Sequence, residues 1–274
     1  MNKFKFGKNW KRYLPVSNQK RLDIAIESIQ DFMEIQDLKE KLFIDVGCGS
    51  GFFSLAAYRL GADVISFDAD PESVECCQYF KEKEDSPENW KIYQGSILDN
   101  NFLRSLPKAD IVYSYGVLHH TGNLNQAMEN AGTLVDNGGY LYIAIYNTVH
   151  GRHGSKEWQK RKNRYNKMPS FIQWFLVIKY LLRHTFIPEI IHGVSPIKSW
   201  RDYYQKRGES KWVDAIDWVG GHPYEYLRPD EVFNFYRDNY TLVNLMTKNT
   251  LALNVFLFKK KEKLRNGQID NKKE

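Results

Sequence analysis

The chain has 274 residues, of which 42% are hydrophobic, so it can bury a sizeable core, and its formal net charge is only +6. It contains three cysteines, and Cys76 and Cys77 are adjacent, where a disulfide would be strained. Neither a disulfide framework nor a cysteine metal cluster is therefore indicated. Residues 1–6 are charged and lack the apolar core of a secretory signal, so we expect a cytoplasmic location.

The first predicted element is a helix over residues 17–41, in which Ile24, Ile29 and Phe32 contribute to an apolar stripe at helical spacing. Such a stripe is typical of a helix that covers the edge of a sheet. We therefore expect residues 1–40 to form an N-terminal helical segment whose main role is packing.

Residues 43–51 carry the most informative pattern of the chain. A short apolar strand ends in the carboxylate of Asp45, and glycines follow at every second position, at Gly47, Gly49 and Gly51. A helix that starts at Phe52 directs unpaired N–H groups toward whatever this loop binds. The spacing G-x-G-x-G differs from the G-x-G-x-x-G of dinucleotide-binding proteins, and a carboxylate beside the loop would repel a pyrophosphate. A ligand that carries an ammonium and a sulfonium fits better.

Further strands alternate with helices along the next hundred residues. Two predicted strands are residues 62–67 and 90–95. A further strand starts at Ala109 and ends before Tyr115, and the last, residues 140–146, is entered through a turn at Gly138 and Gly139. Asp68 lies at the end of the second strand, and Tyr115 to His120 follow the fourth. This alternation is typical of a parallel α/β sheet that is covered by helices on both faces.

The glycine loop, the strand-end Asp68 and the segment 115–120 occur in the order found in class I S-adenosylmethionine-dependent methyltransferases, and the chain resembles that family over roughly residues 41–147. The resemblance implies a Rossmann-like fold with a mostly parallel seven-stranded sheet, a C-terminal antiparallel hairpin and S-adenosyl-L-methionine as cofactor. It also implies a cofactor site built from Asp45, Gly47, Cys48, Gly49, Gly51, Asp68, Ala69, Asp70, Ser96, Ile97, Tyr115 and Gly116.

Two of these positions have roles that the family suggests. The residue at Asp68 binds both ribose hydroxyls in relatives, as a carboxylate with two acceptor oxygens can, and Asp70 is a nearby second candidate. Relatives often place an aspartate beside the adenine amino group. Ser96 is aligned there in this chain, so we expect its hydroxyl or the backbone to make that contact.

Residues 148–226 are predicted to form a helical cap inserted at the carboxyl ends of the strands, the edge where open α/β sheets bind ligands. Residues 150–211 contain 14 Lys and Arg against 4 Asp and Glu, a local net charge of +10. Such a field attracts an anionic acceptor such as a nucleotide-sugar, a lipid-linked phosphate or RNA. A solvated basic helix face is the alternative.

Two stretches of this insertion stand out. The apolar residues 171–182 are too short to span a bilayer, and we expect the packed core of the cap, with peripheral membrane contact as the alternative. Residues 212–226 combine two tryptophans, a glycine pair and polar groups, which indicates a sugar or base pocket or a structural turn. The predicted substrate residues are Tyr146, Asn147, Asp217, Trp218 and Glu225. Residues 212–226 also resemble uncharacterised relatives of ubiquinone O-methyltransferases that accompany surface-polysaccharide enzymes. The other residues that carry this resemblance are Tyr146, Asn147, Trp158, Lys162, Tyr165 and Asn166.

The last part of the chain returns to the sheet. A helix over residues 229–238 and two strands, 241–247 and 252–259, are predicted to complete the core within residues 227–260. Residues 261–274 read as a disordered basic tail.

Methyl transfer to a hydroxyl needs a group that removes the proton as the new bond forms. His119 and His120 are the first candidates because imidazole titrates near neutrality, and His153 and His222 are second candidates from the cap. No metal site is expected.

The leading hypothesis is an O-methyltransferase that acts on a small anionic or carbohydrate-like acceptor. The alternatives are a tRNA or rRNA methyltransferase and a non-catalytic cofactor-binding partner subunit. The sequence leaves the oligomeric state open.

Overall fold

The computed structural model describes residues 4, 6–11, 19–207 and 210–262. A seven-stranded sheet in the order β3-β2-β1-β4-β5-β7-β6 forms the centre of the molecule. Its strands are β1 (Leu42–Val46), β2 (Asp63–Asp68), β3 (Trp90–Gln94), β4 (Ala109–Tyr115), β5 (Val135–Tyr146), β6 (Tyr240–Met246) and β7 (Leu253–Lys260). The first five strands are parallel, and β7 pairs antiparallel with both β5 and β6. The predicted sheet and its antiparallel C-terminal hairpin are confirmed.

Helices cover both faces of the sheet because the strands are buried on both sides. They are α1 (Phe6–Lys11), α2 (Gln19–Met33), α3 (Phe52–Arg59), α4 (Pro71–Lys83), α5 (Asn100–Arg104), α6 (Leu124–Leu134), α7 (Ser155–Tyr165), α8 (Ser170–Leu181), α9 (Ile187–Ile191), α10 (Pro196–Arg207), α11 (Lys211–Gly220) and α12 (Pro229–Tyr236). One core layer joins Phe43 of β1 to Ile29 and Phe80. The opposite layer joins Ile44 to Met128 and Val232, so successive residues of β1 face opposite layers.

The fifth strand begins earlier than the sequence predicts. β5 starts at Val135, and Gly138 and Gly139 lie inside it, so the predicted turn at the glycine pair is wrong. The pairing with β4 shifts register between Ala109 and Ile111, and Gly138 has a φ of +73°. The glycines therefore allow an irregularity within a continuous strand, a use of glycine that resembles a bulge rather than a turn.

The N-terminal helix α2 ends well before residue 41. Glu34 follows it with a φ of +56°, and this left-handed conformation stops the helix. The apolar side chains Leu22, Ile29 and Met33 lie in the same core layer as α3.

Helices α7 to α11 lie between β5 and α12, in the region that the sequence assigns to a cap. The prediction that residues 171–182 form its packed core is wrong for much of α8. Val177 and Leu181 are buried, but Phe171 is 74% exposed and Trp174 is 57% exposed. The buried pair packs with Tyr165 and other residues of a small satellite core, which leaves the opposite side of α8 free.

Within the described part of the chain, none of the helices combines the length and the apolar composition needed to cross a bilayer. The predicted disordered tail falls mainly on residues 263–274, which lie outside the described residues.

Candidate active site

The carboxyl ends of the parallel strands meet at one edge of the sheet, and the glycine loop (residues 47–51) follows β1 there. Gly47, Gly49 and Gly51 have φ angles of +73°, +52° and +84°. A Cβ on Gly47 would overlap the side chain of Val117, and one on Gly51 would lie 2.7 Å from the Cα of Cys77. These two positions require glycine for both backbone conformation and close packing.

Asp45 lies beneath the loop at the end of a buried hydrogen-bond chain. Trp90 Nε1 donates to Ser66 Oγ (2.9 Å), Ser66 Oγ to Ser54 Oγ (2.7 Å), and Ser54 Oγ to Asp45 Oδ2 (2.6 Å). Burial is the main cause that raises the pKa of Asp45 to about 7. A cation bound at the loop would favour the ionised carboxylate, so this side chain suits a positively charged ligand.

Asp68 is held at the end of β2 by two backbone groups. Its Oδ2 accepts from Gly49 N–H (3.0 Å) and its Oδ1 from Asp70 N–H (2.8 Å). Burial is again the main cause of a raised pKa, which lies at about 6. Each oxygen keeps a second lone pair, so this oriented carboxylate can accept from two neighbouring hydroxyls.

Asp70 is occupied differently. Its Oδ1 accepts from Glu72 N–H at the start of α4, and its Oδ2 accepts from Gly7 N–H of α1, both at 3.0 Å. The side chain therefore caps one helix and ties down another, a role that the sequence does not reveal.

Helix α1 lies against the glycine loop and α4. A Cβ on Gly49 would lie 3.5 Å from Trp10 Nε1 of this helix, and Lys11 forms an ion pair with Glu75. Phe4 N–H also donates to His222 O (3.0 Å), so the N-terminal segment contacts both the loop and the helical insertion. The sequence predicts only a packing role at the sheet edge, and the aromatic residues before Lys11 are the one signal that could have indicated more.

The predicted adenine-side residues lie after β3. Ser96 Oγ accepts from Leu98 N–H (3.2 Å), so this hydroxyl already stabilises a turn. Ile97 is buried, and its carbonyl accepts from Asn130 Nδ2 (2.7 Å). Ala69, after β2, is exposed.

The remaining predicted cofactor residues follow β1 and β4. Cys48 is buried, and all three cysteines are free. Tyr115 is 40% exposed and stacks on Phe53 with a centroid distance of 5.8 Å. Gly116 has a φ of +77° and open space where a Cβ would lie. The edge near Gly116 can therefore admit a ligand.

His119 and His120 form a 3-10 turn directly after this segment. His119 is completely buried, and both of its ring nitrogens lack a hydrogen-bond partner among the described residues. Its ring centroid lies 4.2 Å from that of Tyr146 and 4.5 Å from that of His120. Burial lowers the pKa of His119 well below its ordinary value, so the imidazole is neutral at physiological pH.

His120 has a defined tautomer. Its Nδ1 lies 2.5 Å from Pro223 O, and because a carbonyl can only accept, Nδ1 carries the proton. The neutral ring therefore keeps its lone pair on Nε2. Burial lowers the pKa of His120 to about 3.

Lys162 of α7 is the main residue of this region to which the sequence analysis assigns no role in the site. Its side chain has no exposed surface, and its Nζ donates to Trp218 O. The Nζ lies 4.6 Å from the ring centroid of Trp218 and 4.8 Å from that of Tyr224. Burial lowers the pKa of Lys162 to about 7. The available signal was its spacing, because it follows buried Trp158 by one helical turn and shares that side of the helix.

His222 and Glu225 complete the arrangement. His222 is buried with Nδ1 unpartnered within the described ranges, and Glu225 has one buried oxygen in the same condition. The other carboxylate oxygen of Glu225 accepts from Leu124 N–H (3.3 Å), and Glu225 N–H donates to His119 O (2.9 Å). We call the resulting group the buried polar cluster; it comprises His119, His120, Tyr146, Lys162, Trp218, His222, Tyr224 and Glu225.

Three residues predicted to be catalytic or to bind substrate lie outside this cluster or make other contacts. His153 is exposed before α7. Asn147 donates from Nδ2 to Lys248 O (2.6 Å) and Thr250 O (3.3 Å), so its amide holds the loop between β6 and β7. Asp217 of α11 acts on Lys162, whose pKa its charge raises against the effect of burial. In the part of the chain that the structure covers, no group of three or more His, Cys, Asp or Glu could hold a metal ion.

The chain is similar to known methyltransferases. A family model described as a methyltransferase domain matches residues 37–208. The chain is 24% identical over 110 residues to a ubiquinone biosynthesis O-methyltransferase of Pelagibacter ubique (strain HTCC1062). This match covers 40% of this chain and 44% of that relative. It is 38% identical over 84 residues to a ribosomal protein L11 methyltransferase of Psychrobacter sp. (strain PRwf-1). This second match covers 30% of this chain and 27% of that relative. The matched stretches thus span less than half the length of either relative.

The fold is also found in a solved structure. Magnesium protoporphyrin IX methyltransferase from Synechocystis PCC 6803, determined with bound S-adenosylhomocysteine, superposes with a TM-score of 0.53 at 14% identity. The alignment covers 92% of this chain and 93% of that one. The chain therefore belongs to the class I S-adenosylmethionine-dependent methyltransferase family.

Proposed function

We propose that this protein transfers the methyl group of S-adenosyl-L-methionine to a hydroxyl of a small anionic or carbohydrate-like acceptor. The observation that carries the proposal is the buried polar cluster, where neutral imidazoles and a buried amine meet beside the carboxyl ends of β4 and β5. Unpartnered buried polar atoms each cost about 1–3 kcal/mol, so a concentration of them at one place calls for a polar ligand.

The cofactor would be held at the edge formed by the glycine loop, Asp45 and Asp68. Its sulfonium supplies an activated methyl group when bound, so the protein mainly has to align the acceptor and exclude water. The open side of Gly116 and the exposed ring of Tyr115 lie between this edge and His119. The transferred group would therefore pass near the end of β4.

His120 is the residue that we propose as the general base. Its hydrogen bond to Pro223 O places the lone pair on Nε2. The lowered pKa keeps the ring unprotonated but makes it a weak base, so the assignment rests on the position of the lone pair and not on the basicity of the ring. His119 would instead orient the acceptor through one of its unpartnered ring nitrogens. In this assignment both residues affect turnover and neither holds the cofactor.

The preference for an anionic acceptor rests on the cap. Lys162 places a buried amine inside the cluster. An open groove at the surface is lined by Arg152, Lys156, Lys160 and Arg161 against one acidic residue, Glu157, which pairs with Arg161. The relationship to a ubiquinone biosynthesis O-methyltransferase supports oxygen as the methylated atom. The free, buried cysteines suit a cytoplasmic protein. Residues 148–226 would then act as the cap that selects the acceptor.

Methyl-labelled cofactor offers a direct test. The protein would be incubated with separate pools of nucleotide-sugars, lipid-linked glycans, quinone precursors and tRNA, and label transfer would be followed. In the pool that is labelled, we expect His120→Ala to lower turnover by about a hundredfold or more while calorimetry shows unchanged binding of the cofactor. His192→Ala, which changes an exposed histidine at the end of α9, is the matched control. Full turnover by His120→Ala would remove His120 from the mechanism.

A macromolecular acceptor is the second candidate. The basic surface groove favours RNA, whereas the similarity to ribosomal protein L11 methyltransferases favours a protein acceptor. Label in tRNA, with binding that weakens steeply as salt rises, would favour an RNA acceptor over a small molecule. Cofactor binding without transfer in any pool would instead support a partner subunit.

A further inference from the structure

Helix α8 and the segment after it expose an unusual amount of apolar surface. We define the apolar face by six side chains, which are Phe171, Trp174, Phe175, Leu182, Ile187 and Ile191; all of them are at least 47% exposed. Single exposed apolar residues are ordinary, but a contiguous group of this kind indicates a surface that contacts something else.

The face is contiguous in space. Phe171, Trp174 and Phe175 follow the spacing of one helix face, three and four residues apart. Phe175 and Leu182 line an open groove of about 420 Å³ together with Ile187. The apolar surface therefore continues from α8 across the π-helical segment Leu182–Phe186 into α9.

This surface is left over after α8 has packed. The opposite side of the helix buries Val177 and Leu181 in the satellite core with Tyr165 and Ala215. The fold of the insertion thus does not need the exposed aromatic rings, and their presence in water requires another explanation.

The charges beside the face are mostly positive. Lys179 and Arg183 line the same groove as Phe175 and Leu182. Of the nearby acidic groups, Glu189 points inward, where its Oε1 accepts from Lys211 Nζ and Ser199 Oγ at 2.5 Å. Helices that rest on lipid combine bulky apolar and aromatic residues with flanking cations in this way.

We propose that the apolar face docks this protein on an anionic lipid surface. The aromatic and aliphatic side chains would enter the boundary between headgroups and acyl chains, while Lys179 and Arg183 contact anionic headgroups. A two-fold dimer through the same patch would bring the two copies of Lys179 and Arg183 toward each other, which disfavours a second copy as the occupant. The docking surface is independent of the identity of the acceptor.

Vesicle co-sedimentation of the full chain tests this docking. We expect binding to phosphatidylcholine vesicles that contain about a quarter phosphatidylglycerol, and much weaker binding to pure phosphatidylcholine. The double variant Phe171→Ser/Phe175→Ser should lower the partition coefficient by about tenfold or more. Lys179→Glu/Arg183→Glu should abolish the preference for anionic vesicles without removing apolar surface.

The matched control is Phe233→Ser/Phe235→Ser, which changes two exposed phenylalanines on α12 and should bind vesicles like the unchanged protein. Cofactor binding measured on every variant confirms that each is folded. Absence of binding to anionic vesicles, or equal binding by Phe171→Ser/Phe175→Ser, would overturn the docking site. A dimer detected by light scattering that dissociates in Phe171→Ser/Phe175→Ser, with no vesicle binding, would assign the face to a second copy.

Discussion

The cofactor edge and the buried polar cluster are neighbouring parts of one candidate site, yet they are built by different means. At the cofactor edge the key contacts involve the backbone, since Asp68 accepts from the N–H groups of Gly49 and Asp70. In the buried polar cluster, Lys162 meets the carbonyl of Trp218 and the ring of Tyr224, which come from distant parts of the insertion.

This difference separates what is general from what is specific. Backbone N–H groups and glycines can bind a cofactor without particular side chains, but here Gly47 and Gly51 are packed closely against Val117 and Cys77. Buried side chains that meet across long separations depend on how the cap folds. We therefore expect the cofactor edge to tolerate few substitutions, and the buried polar cluster to accept some substitutions without loss of stability.

Gly51→Ala should have the largest effect on the cofactor edge. The new Cβ would lie 2.7 Å from the backbone of Cys77 at a φ of +84°, so both strain and overlap oppose it. We expect a loss of about 3 kcal/mol in the free energy of unfolding and no measurable cofactor binding. Urea unfolding and calorimetry with S-adenosylhomocysteine measure the two effects.

Gly193→Ala is the control for strain alone. Gly193 has a φ of +71°, and a Cβ there would meet nothing within 4 Å. We expect a loss of about 1 kcal/mol and unchanged cofactor affinity. Equal losses for the two variants would show that packing against Cys77 does not matter.

The sequence could indicate a candidate cofactor edge because the signals for it are short. A strand, an acidic residue and spaced glycines occur within residues 43–51, and Asp68 follows at the end of the next strand. The seven-stranded, mostly parallel sheet could be expected because these short signals identify the family resemblance, and the resemblance implies the fold.

The buried polar cluster and the apolar face could not be predicted in the same way. Lys162 is one of many basic residues in the insertion, and its burial depends on α11 and on Tyr224, more than 50 residues away. The exposure of Phe171 could not be predicted either, because the sequence of an apolar helix does not show how much of its surface other elements will bury. Tertiary packing decides both outcomes.

Lys162→Met tests whether the buried amine is retained for chemistry at the expense of stability. Methionine is apolar and similar in length, so it removes the cost of burying the charge, and we expect the variant to be at least as stable as the unchanged protein at pH 7. Turnover of the anionic acceptor should fall by about tenfold or more because a buried charge contact is lost.

The pH dependence of stability tests whether the buried ammonium of Lys162 destabilises the folded chain. The pKa of Lys162 falls from 10.5 to about 7 in the folded chain, so above pH 7 the unfolded chain binds more protons and stability rises with pH. The advantage of Lys162→Met should therefore shrink between pH 7 and pH 9. Urea unfolding at several pH values measures it, with Lys160→Met on the exposed side of α7 as control. An advantage that does not change with pH would place the ammonium of Lys162 in a well-solvated environment.

The last prediction concerns the cofactor edge, where the affinity for S-adenosylmethionine should rise with pH. In the free chain, burial raises the pKa of Asp45 to about 7 and that of Asp68 to about 6. A cationic ligand favours the ionised carboxylates, so protons are released on binding. Affinity should increase by up to about tenfold per pH unit near pH 7, where one proton is released, and more steeply below about pH 6, where both carboxylates release one.

Calorimetry over this pH range measures how the cofactor affinity depends on pH, and variants assign that dependence to Asp45 or Asp68. Asp68→Asn should remove the part of the slope below about pH 6 and leave the part near pH 7, which belongs to Asp45. Asp136→Asn, at an exposed carboxylate in β5, should change neither part. A flat profile in the unchanged protein would mean that both carboxylates are already ionised before the cofactor arrives. Binding would then release no protons, and the attraction between the cationic ligand and the two ionised carboxylates would be the same at every pH in this range.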